Sequence, residues 1–528
     1  MNGVVTTCVL FFVFVLNYGL CCETGNATLQ PVQRKMCEFK IMHPKPIGVL
    51  TTTAGRPVEV RETITLNSDI IANEYLLDSM LHFVREKVPE RMVHAKGTAA
   101  FGYFEVTHDI SKYTKAEVFN GVGKKTPLVV RMSTAIQSLG GPDVSRELKG
   151  MAIKFYTKEG NLDLLCLQTP VYLYNDPLFF QSQVHAFKRN PATNVFDRTT
   201  IWDFLTKRPS AFNTFFWTQS DFGIPSSYRN MDAFPIHTYE VNNKKGDRYY
   251  IRFNFRTEQG LSNLTSVGVA NASQDIDYYT RDLYNAIANK EYPSWRLEID
   301  IMTQDGIKNL DFNPFDVTRL WKNGTYHTIE VGRLILNKNP DNFFKVSDVS
   351  AFNPASLVPG IPGPVDTLFK GRRLFYRSTQ NYRLGINHNN VDVNMPFYAK
   401  TYTRDGVAPV NENMRDAPNY FPNSFSGPEA VVDESKPWKR LLVLDSNAVD
   451  LSQPKHFYNH VLTNVGQRQR LADVFAMQLA TVTQPIQRRA LKMLTLIDKD
   501  LGNRVRVGVR AAIANLASQQ TRKPKQNY

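Results

Sequence analysis

Four short runs carry the reading of the fold: residues 100–106 (AFGYFEV), 127–134 (PLVVRMST), 151–156 (MAIKFY) and 162–167 (LDLLCL). Each is rich in β-branched, aromatic or aliphatic residues, with turn formers between. Lys158-Glu159-Gly160-Asn161 joins the last two as a hairpin connection. Further along, 249–255 and 295–302 alternate apolar and polar positions, as half-buried strands do. So many short strands between positions 98 and 336 predict a sheet closed or nearly closed on itself.

Outward from that core the character changes. Residues 177–235 are rich in Phe, Trp, Pro and Asn and suit helices and loops packed against the barrel. Residues 23–80 show no sustained period and read as an N-terminal arm. In 337–438, Pro354, Pro359, Pro362, Pro364, Pro409, Pro418, Pro422 and Pro428 punctuate a long irregular stretch, which is expected to wrap something if ordered. From Gln453 the period becomes helical, with Phe457, Val461, Leu462, Val465, Leu471, Val474 and Phe475 on one face. Leu491, Leu494, Ile497 and Leu501 form a second run, and Pro485 starts its helix. The expected organisation is an α+β fold: signal peptide 1–22, arm 23–80, barrel domain 81–336, wrapping segment 337–438 and helical region 439–520.

The 528 residues are 42% hydrophobic and 21% charged, which excludes disordered, collagen-like and disulfide-dense chains. The net charge of +14 suits either anionic partners or a well-solvated basic surface. From Arg488 to the end, ten Lys/Arg stand against two Asp, and the same two readings apply. The uncharged run Val9 to Leu16 falls short of the ~20 apolar residues of a spanning helix. With Cys21-Cys22 following, it reads as a secretory signal, so a secreted protein without a transmembrane segment is expected. Asn-x-Ser/Thr sequons stand at Asn26, Asn263, Asn271 and Asn323. A mature chain would keep Cys37 and Cys166, which is no disulfide framework.

Two segments could carry chemistry. Pro89 to Gly97 (PERMVHAKG) is a loop feeding a strand, with His94 between Val93 and Ala95. A histidine there is either a satisfied core residue or a general base held near its working pKa by burial. In Lys370 to Thr379 (KGRRLFYRST), Arg372 precedes Tyr376 by four residues, one helical turn. A guanidinium beside a phenol favours phenolate, a hard ligand for Fe(III); the other reading is a surface tyrosine among basic residues.

Together these segments resemble the haem catalase family from about residue 60 to about 515. The stretches PERMVHAKG, AFGYFEVTHDISKYTKAEVF and KKTPLVVRMST match almost without gaps. GMAIKFYTKEGN, KRNP at 188–191, FNPFD at 312–316 and APNYFPNSF at 417–425 match as well. The resemblance implies a mainly antiparallel β-barrel with an N-terminal arm, a wrapping segment and a helical C-terminal region. It also implies haem-dependent decomposition of hydrogen peroxide to water and oxygen. It places Tyr376 as the iron ligand, a tyrosine being the known axial ligand of catalase. Arg372 falls where an arginine hydrogen-bonds that phenolate, His94 on the distal histidine and Ser133 on the serine that orients it. Arg91, Arg131 and Arg383 fall where guanidinium groups hold the haem propionates, and Phe180 lines the pocket. The implied partners are hydrogen peroxide and copies of the same chain in a homotetramer, with no nucleic acid.

Three departures qualify this. Leu167 stands where the family has an asparagine that donates to bound peroxide, so turnover below the family norm is expected. Gln168, one position along, could replace that donor only if a bulge re-aimed it. Rivals are a catalase-like haem-binding protein with little activity, or a peroxidase acting on organic peroxides. Secondly, Arg377-Ser378-Thr379-Gln380 replaces proline, aspartate, threonine and histidine, which is expected to loosen the start of the proximal helix; Phe375 is bulkier than the usual residue. Thirdly, Asn213, Phe222 and Asn254 replace two histidines and an arginine of the family's NADPH site. Ser220 and Arg256 remain, and no tight NADPH binding is expected.

Overall fold

The computed structural model describes residues 29–66, 70, 72–433 and 449–521. The signal peptide reading, Cys8, Cys21, Cys22 and Asn26 lie outside the described residues. Contacts divide the chain into two units. The smaller holds the described residues as far as Pro89 together with Tyr284–Asn289. Its helices α1 (Lys35–Met42) and α2 (Glu74–Phe83) bury no residue. Asn73 caps α2 through its side chain, which accepts from the Leu76 amide, and Asn285 receives Val32 N at 3.0 Å.

The larger unit is built on nine strands: β1 (Gly97–Val106), β2 (Lys125–Thr134), β3 (Lys149–Thr157), β4 (Gly160–Leu167), β5 (Tyr239–Asn242), β6 (Arg248–Thr257), β7 (Ser294–Thr303), β8 (His327–Lys338) and β9 (Gly363–Pro364). They pair antiparallel in the order β4-β3-β2-β1-β8-β7-β6-β5-β9. Two meanders are thus joined through β1 and β8. The β3–β4 hairpin turns where expected, closing on Thr157↔Gly160, with Gly160 at φ 114°.

The sheet is curled, and aromatic rings show how tightly. Phe119 lies 6.3 Å from Phe155 of β3 and 5.6 Å from Phe253 of β6, although four strands separate β3 from β6 in the ladder. Phe104 of β1 joins the same group at 5.8 Å from both Phe119 and Phe155. All four rings are buried, and each contributes roughly 2–3 kcal/mol of hydrophobic stabilisation.

A second core lies outside the sheet. Helices α3 (Phe179–Phe187), α4 (Arg198–Lys207) and α5 (Phe212–Gln219) pack against the C-terminal helices. The contact is centred on Phe475, whose ring stacks on Phe215 at 5.5 Å and meets Trp202 edge-on at 5.5 Å. Within the stretch expected to be irregular, the described residues form one α-helix, α6 (Thr367–Leu384), besides a short π-helical turn at Phe344–Asp348 and a 3-10 turn at His388–Asn390. The final helices are α7 (Val465–Leu479), α8 (Gln484–Ile497), which begins with Pro485, and α9 (Lys499–Thr521). Cys166 is a buried free thiol. No helix among the described residues is long and apolar enough to cross a membrane.

Candidate active site

β-sheet register sets one wall of the site. Ser133 on β2 pairs with Gly150 on β3, and Gly150 with Leu167 on β4. One step along, Arg131, Ala152 and Leu165 form the next matching row. Side chains alternate along a strand, so both rows present the same face. That face lines a cavity of about 270 Å³, together with His94, Phe180, Arg372, Phe375 and Tyr376.

His94 enters just before β1 with φ 60°, a left-handed conformation unusual for a non-glycine residue. The surrounding structure holds it there. Its amide donates to Ala135 O at 2.8 Å, and Arg131 donates to His94 O at 2.7 Å and Ala95 O at 2.8 Å. On the ring, Nδ1 and Ser133 Oγ are 2.9 Å apart, while Nε2 has no protein partner among the described residues. Burial lowers the imidazole pKa to about 3, reinforced by the positive charges of Arg131, Arg372, Arg91 and Lys149. The ring is therefore neutral at pH 7.

Gly150 lets the ring sit where it does. A Cβ at this position would lie 2.8 Å from His94 Cε1, His94 Nδ1 and Ser133 Oγ. Gly150→Ala is expected to separate His94 from Ser133 and to cost about 1–3 kcal/mol of stability. A fall in the denaturant midpoint together with loss of turnover checks this; an unperturbed, active variant would contradict it.

On the opposite side, α6 carries Arg372 and Tyr376. Arg372 Nη2 donates to Tyr376 Oη at 3.3 Å, and its Nη1 to His237 Nε2 at 2.7 Å. Because guanidinium can only donate, Nε2 must accept, which puts the histidine proton on Nδ1. Nδ1 then donates to Asp366 Oδ2 at 2.9 Å. Asp366 uses its other oxygen to cap α6, accepting from Phe369 N at 2.8 Å. Burial lowers the His237 pKa despite Asp366, keeping the ring neutral. Burial likewise opposes the Arg372 charge, but the Tyr376 oxygen outweighs it and the pKa rises. Neither His237 nor Asp366 was singled out from the sequence. A lone histidine 129 residues from its carboxylate leaves no local pattern; only the helix cap at Asp366 was open to detection.

The cap also corrects the expectation for the proximal helix. Because α6 starts at Thr367, Arg377 to Gln380 lie well inside it and do not form its beginning. Phe375 is accommodated by stacking on Phe180, with centroids 6.0 Å apart.

Gln168 does not replace the missing amide. Its Oε1 accepts from the Lys149 amide and its Nε2 donates to Glu147 O at 3.1 Å. It is 5% exposed and, by strand alternation, on the face opposite Leu167. Leu167 itself lines the cavity without a donor.

Three further arginines predicted for the site come together. Arg91 donates to Ser347 O at 2.9 Å and Ser350 O at 2.9 Å, and Arg383 to Asp348 O at 2.8 Å. Burial lowers the Arg91 pKa, and the charges of Arg131 and Arg383 lower it further. Arg131, buried beside them, is brought to about 10 mainly by desolvation, and its Nε has no hydrogen-bond partner. Asp348 offsets part of the charge of all three, and three desolvated guanidiniums beside one carboxylate suit an anionic ligand. An apolar slot between His94 and Tyr376 with such cations beside it fits a planar dicarboxylate such as haem.

The chain was compared with known proteins. The Catalase family profile matches residues 51–427, and a Catalase-related immune-responsive profile matches residues 445–509. A catalase of Glandirana rugosa is 42% identical over 486 residues, covering 90% of this chain and 92% of that protein. A catalase of Mus musculus is 40% identical over 470 residues, covering 87% and 89%. Among solved structures, catalase A from Saccharomyces cerevisiae superposes with a TM-score of 0.82 at 34% identity, covering 87% of this chain and 98% of that one. A fungal catalase superposes with a TM-score of 0.83, also at 34% identity, covering 88% and 97%.

Proposed function

This chain belongs to the catalase family, and from that premise we propose that it decomposes hydrogen peroxide to water and oxygen with haem bound between His94 and Tyr376. The observation that carries the reading is the pair of facing constellations on one cavity: a neutral His94 fixed by Ser133, and Tyr376 fixed through Arg372, His237 and Asp366. Tyr376 is the iron ligand in this reading. Arg91, Arg131 and Arg383 would hold the propionates, and Phe180, stacked on Phe375, would line the slot for the ring system.

Haem, when bound, supplies the exchange of electrons with peroxide. The protein does the rest. His94 Nε2, with a free lone pair, takes a proton from one peroxide oxygen and returns it to the departing one, while Ser133 keeps the ring aligned at Nδ1. On the other side, Arg372 donates to the Tyr376 oxygen and holds it in place, the oxygen that would ligate iron. Leu167, Val93 and Phe180 keep the chamber apolar. They offer the peroxide no second donor, so turnover below that of an amide-bearing relative is the expected consequence.

The finer parts of the reading have their own support. Secretion rests on the apolar run at Val9 to Leu16, and a homotetramer on the family and on the exposed apolar residues of α1 and α2, such as Met36 and Phe83. Against NADPH stand Asn254, committed to Asp300 at 2.8 Å, and Arg256, committed to Asp232 at 2.9 Å.

The test is the absorption spectrum of the purified protein together with its oxygen evolution across pH. Since the folded His94 pKa lies near 3, below the ordinary 6.5, protonation does not limit the base above pH 5. The rate is expected to stay flat from pH 5 to 8. The unfolded chain binds the proton between about pH 6.5 and 3, so stability from this group is complete above that window and falls as pH drops through it. A protein that carries no haem, or an acid limb centred near pH 6.5, would count against the assignment.

A further inference from the structure

Three of the four Asn-x-Ser/Thr sequons fall on described residues, and the peroxide chemistry uses none of them: Asn263-Leu264-Thr265, Asn271-Ala272-Ser273 and Asn323-Gly324-Thr325. The triplet by itself says little, since it recurs by chance. What decides is whether the folded chain leaves the asparagine amide room for a bulky sugar, and the three differ in that respect.

Asn263 has no such room. Its backbone bridges to Pro225, and the Leu264 amide donates to Ile224 O at 2.9 Å. Its side-chain nitrogen donates to Asp221 O at 3.1 Å and to Ser262 O at 3.3 Å. A sugar on that nitrogen would leave one N–H for two carbonyls and push the segment away from residues 221–225. A chain modified there could not close these contacts.

Asn323 is the opposite case. Thr325 N donates to Lys322 O at 3.2 Å and Gly324 has φ 84°, so Asn323 and Gly324 are the two central residues of a type II turn. Asn323 is exposed at this corner, and it borders a cavity of about 420 Å³, so empty space and not packed protein adjoins its amide. Asn271 is exposed in the last turn of the short helix Ser266–Ala272, with Ser273 exposed beside it. Among the described residues no side-chain hydrogen bond engages the amide of Asn271 or Asn323, so a substituent on either displaces nothing.

We propose that Asn271 and Asn323 are N-glycosylated in the folded protein and that Asn263 is not; the proposal rests on the secretory reading of Val9 to Leu16. In the transfer, the asparagine Nδ2 bonds to the anomeric carbon of a lipid diphosphate-linked oligosaccharide. The bond from that carbon to the phosphate oxygen breaks, the lipid diphosphate leaves, and the amide gives one proton to the transferase. Nothing is oxidised or reduced. The result is hydrated bulk on the barrel unit, at two points remote from the haem cavity.

Peptide mapping of the full chain secreted from eukaryotic cells tests this. Glycosidase release in heavy-oxygen water turns each occupied asparagine into a labelled aspartate; Asn271 and Asn323 are expected to carry the label and Asn263 to lack it. Asn271→Gln and Asn323→Gln should each speed migration on a denaturing gel by one step, whereas Asn263→Gln should leave the band where it is. Thr325→Ala keeps the Asn323 amide and should remove its sugar, and Thr325→Ser should restore it; unchanged peroxide turnover in these variants certifies their folds. The chain is expressed once with its own N-terminus and once with a borrowed secretion signal in place of residues 1–22. Label under the borrowed signal alone would overturn the secretory reading and uphold the assignment of sites. Absence of label from Asn271 or from Asn323 under both signals would overturn the proposal, and so would equal label at Asn263.

Discussion

Leu167→Asn is expected to raise oxygen evolution from hydrogen peroxide by roughly 100-fold, the low end of what one well-placed donor contributes to a rate. The position is right for it. Residue 167 stands opposite Gly150 on β3, in the row that also holds Ser133, and its side chain faces the cavity that His94 lines. An amide there would offer the peroxide the donor that leucine lacks. The substitution removes a 9% exposed aliphatic side chain from a core that includes Leu173 and Ile236. A stability loss of about 2–3 kcal/mol is expected alongside the gain in rate. An oxygen electrode measures the one and denaturant unfolding the other. Equal and high rates in wild type and variant would show that some other group already donates to the peroxide. With Gln168 bound to the backbone of Lys149 and Glu147, that group would have to be water.

Tyr376→Phe is the second large effect, and it should be a loss. Among the described residues the change removes the one oxygen that Arg372 Nη2 reaches, and it leaves a half-buried guanidinium with its hydrogen bond to His237. Losing a hydrogen bond to a charged group typically costs about 1.5–3 kcal/mol. In the proposed role the same oxygen ligates iron. Purified variant protein is therefore expected to carry little haem, to lack the absorption of the wild type, and to evolve oxygen at less than about one hundredth of its rate, a loss no smaller than those of groups that merely orient a metal ligand. A variant that keeps both its spectrum and its turnover would remove Tyr376 from the iron. Gly150→Ala disturbs only the distal side, so it is expected to lower the rate with haem retained. Together the two variants separate loss of the cofactor from loss of the base.

How far the fold and site could be read in advance depended on the distance over which each feature is encoded. The strands were legible because alternation and turn residues act within a few positions; Gly160 closes its hairpin as expected. The Arg372–Tyr376 contact was legible because four residues make one helical turn. The residues after Tyr376 carry no signal for the start of α6, which lies nine positions before that tyrosine at Thr367. Asp366, one residue earlier, accepts from the Phe369 amide and sets the boundary. His237 was invisible, since nothing near it in the chain announces a carboxylate 129 positions away.

Local periodicity and the family's motifs were enough to determine the class of fold, the pairing of Arg372 with Tyr376, and the identity of the groups available for peroxide chemistry. Tertiary structure alone decided what those groups can do. The register of β2, β3 and β4 turned Leu167 into the cavity and Gln168 away from it. The segment 347–350 gathered Arg91 and Arg383 beside Arg131 of β2, and burial left His94 neutral with its Nε2 unengaged among the described residues. Such outcomes depend on contacts between segments remote in sequence, and on the loss of water around charges, and neither is encoded in any short stretch of residues.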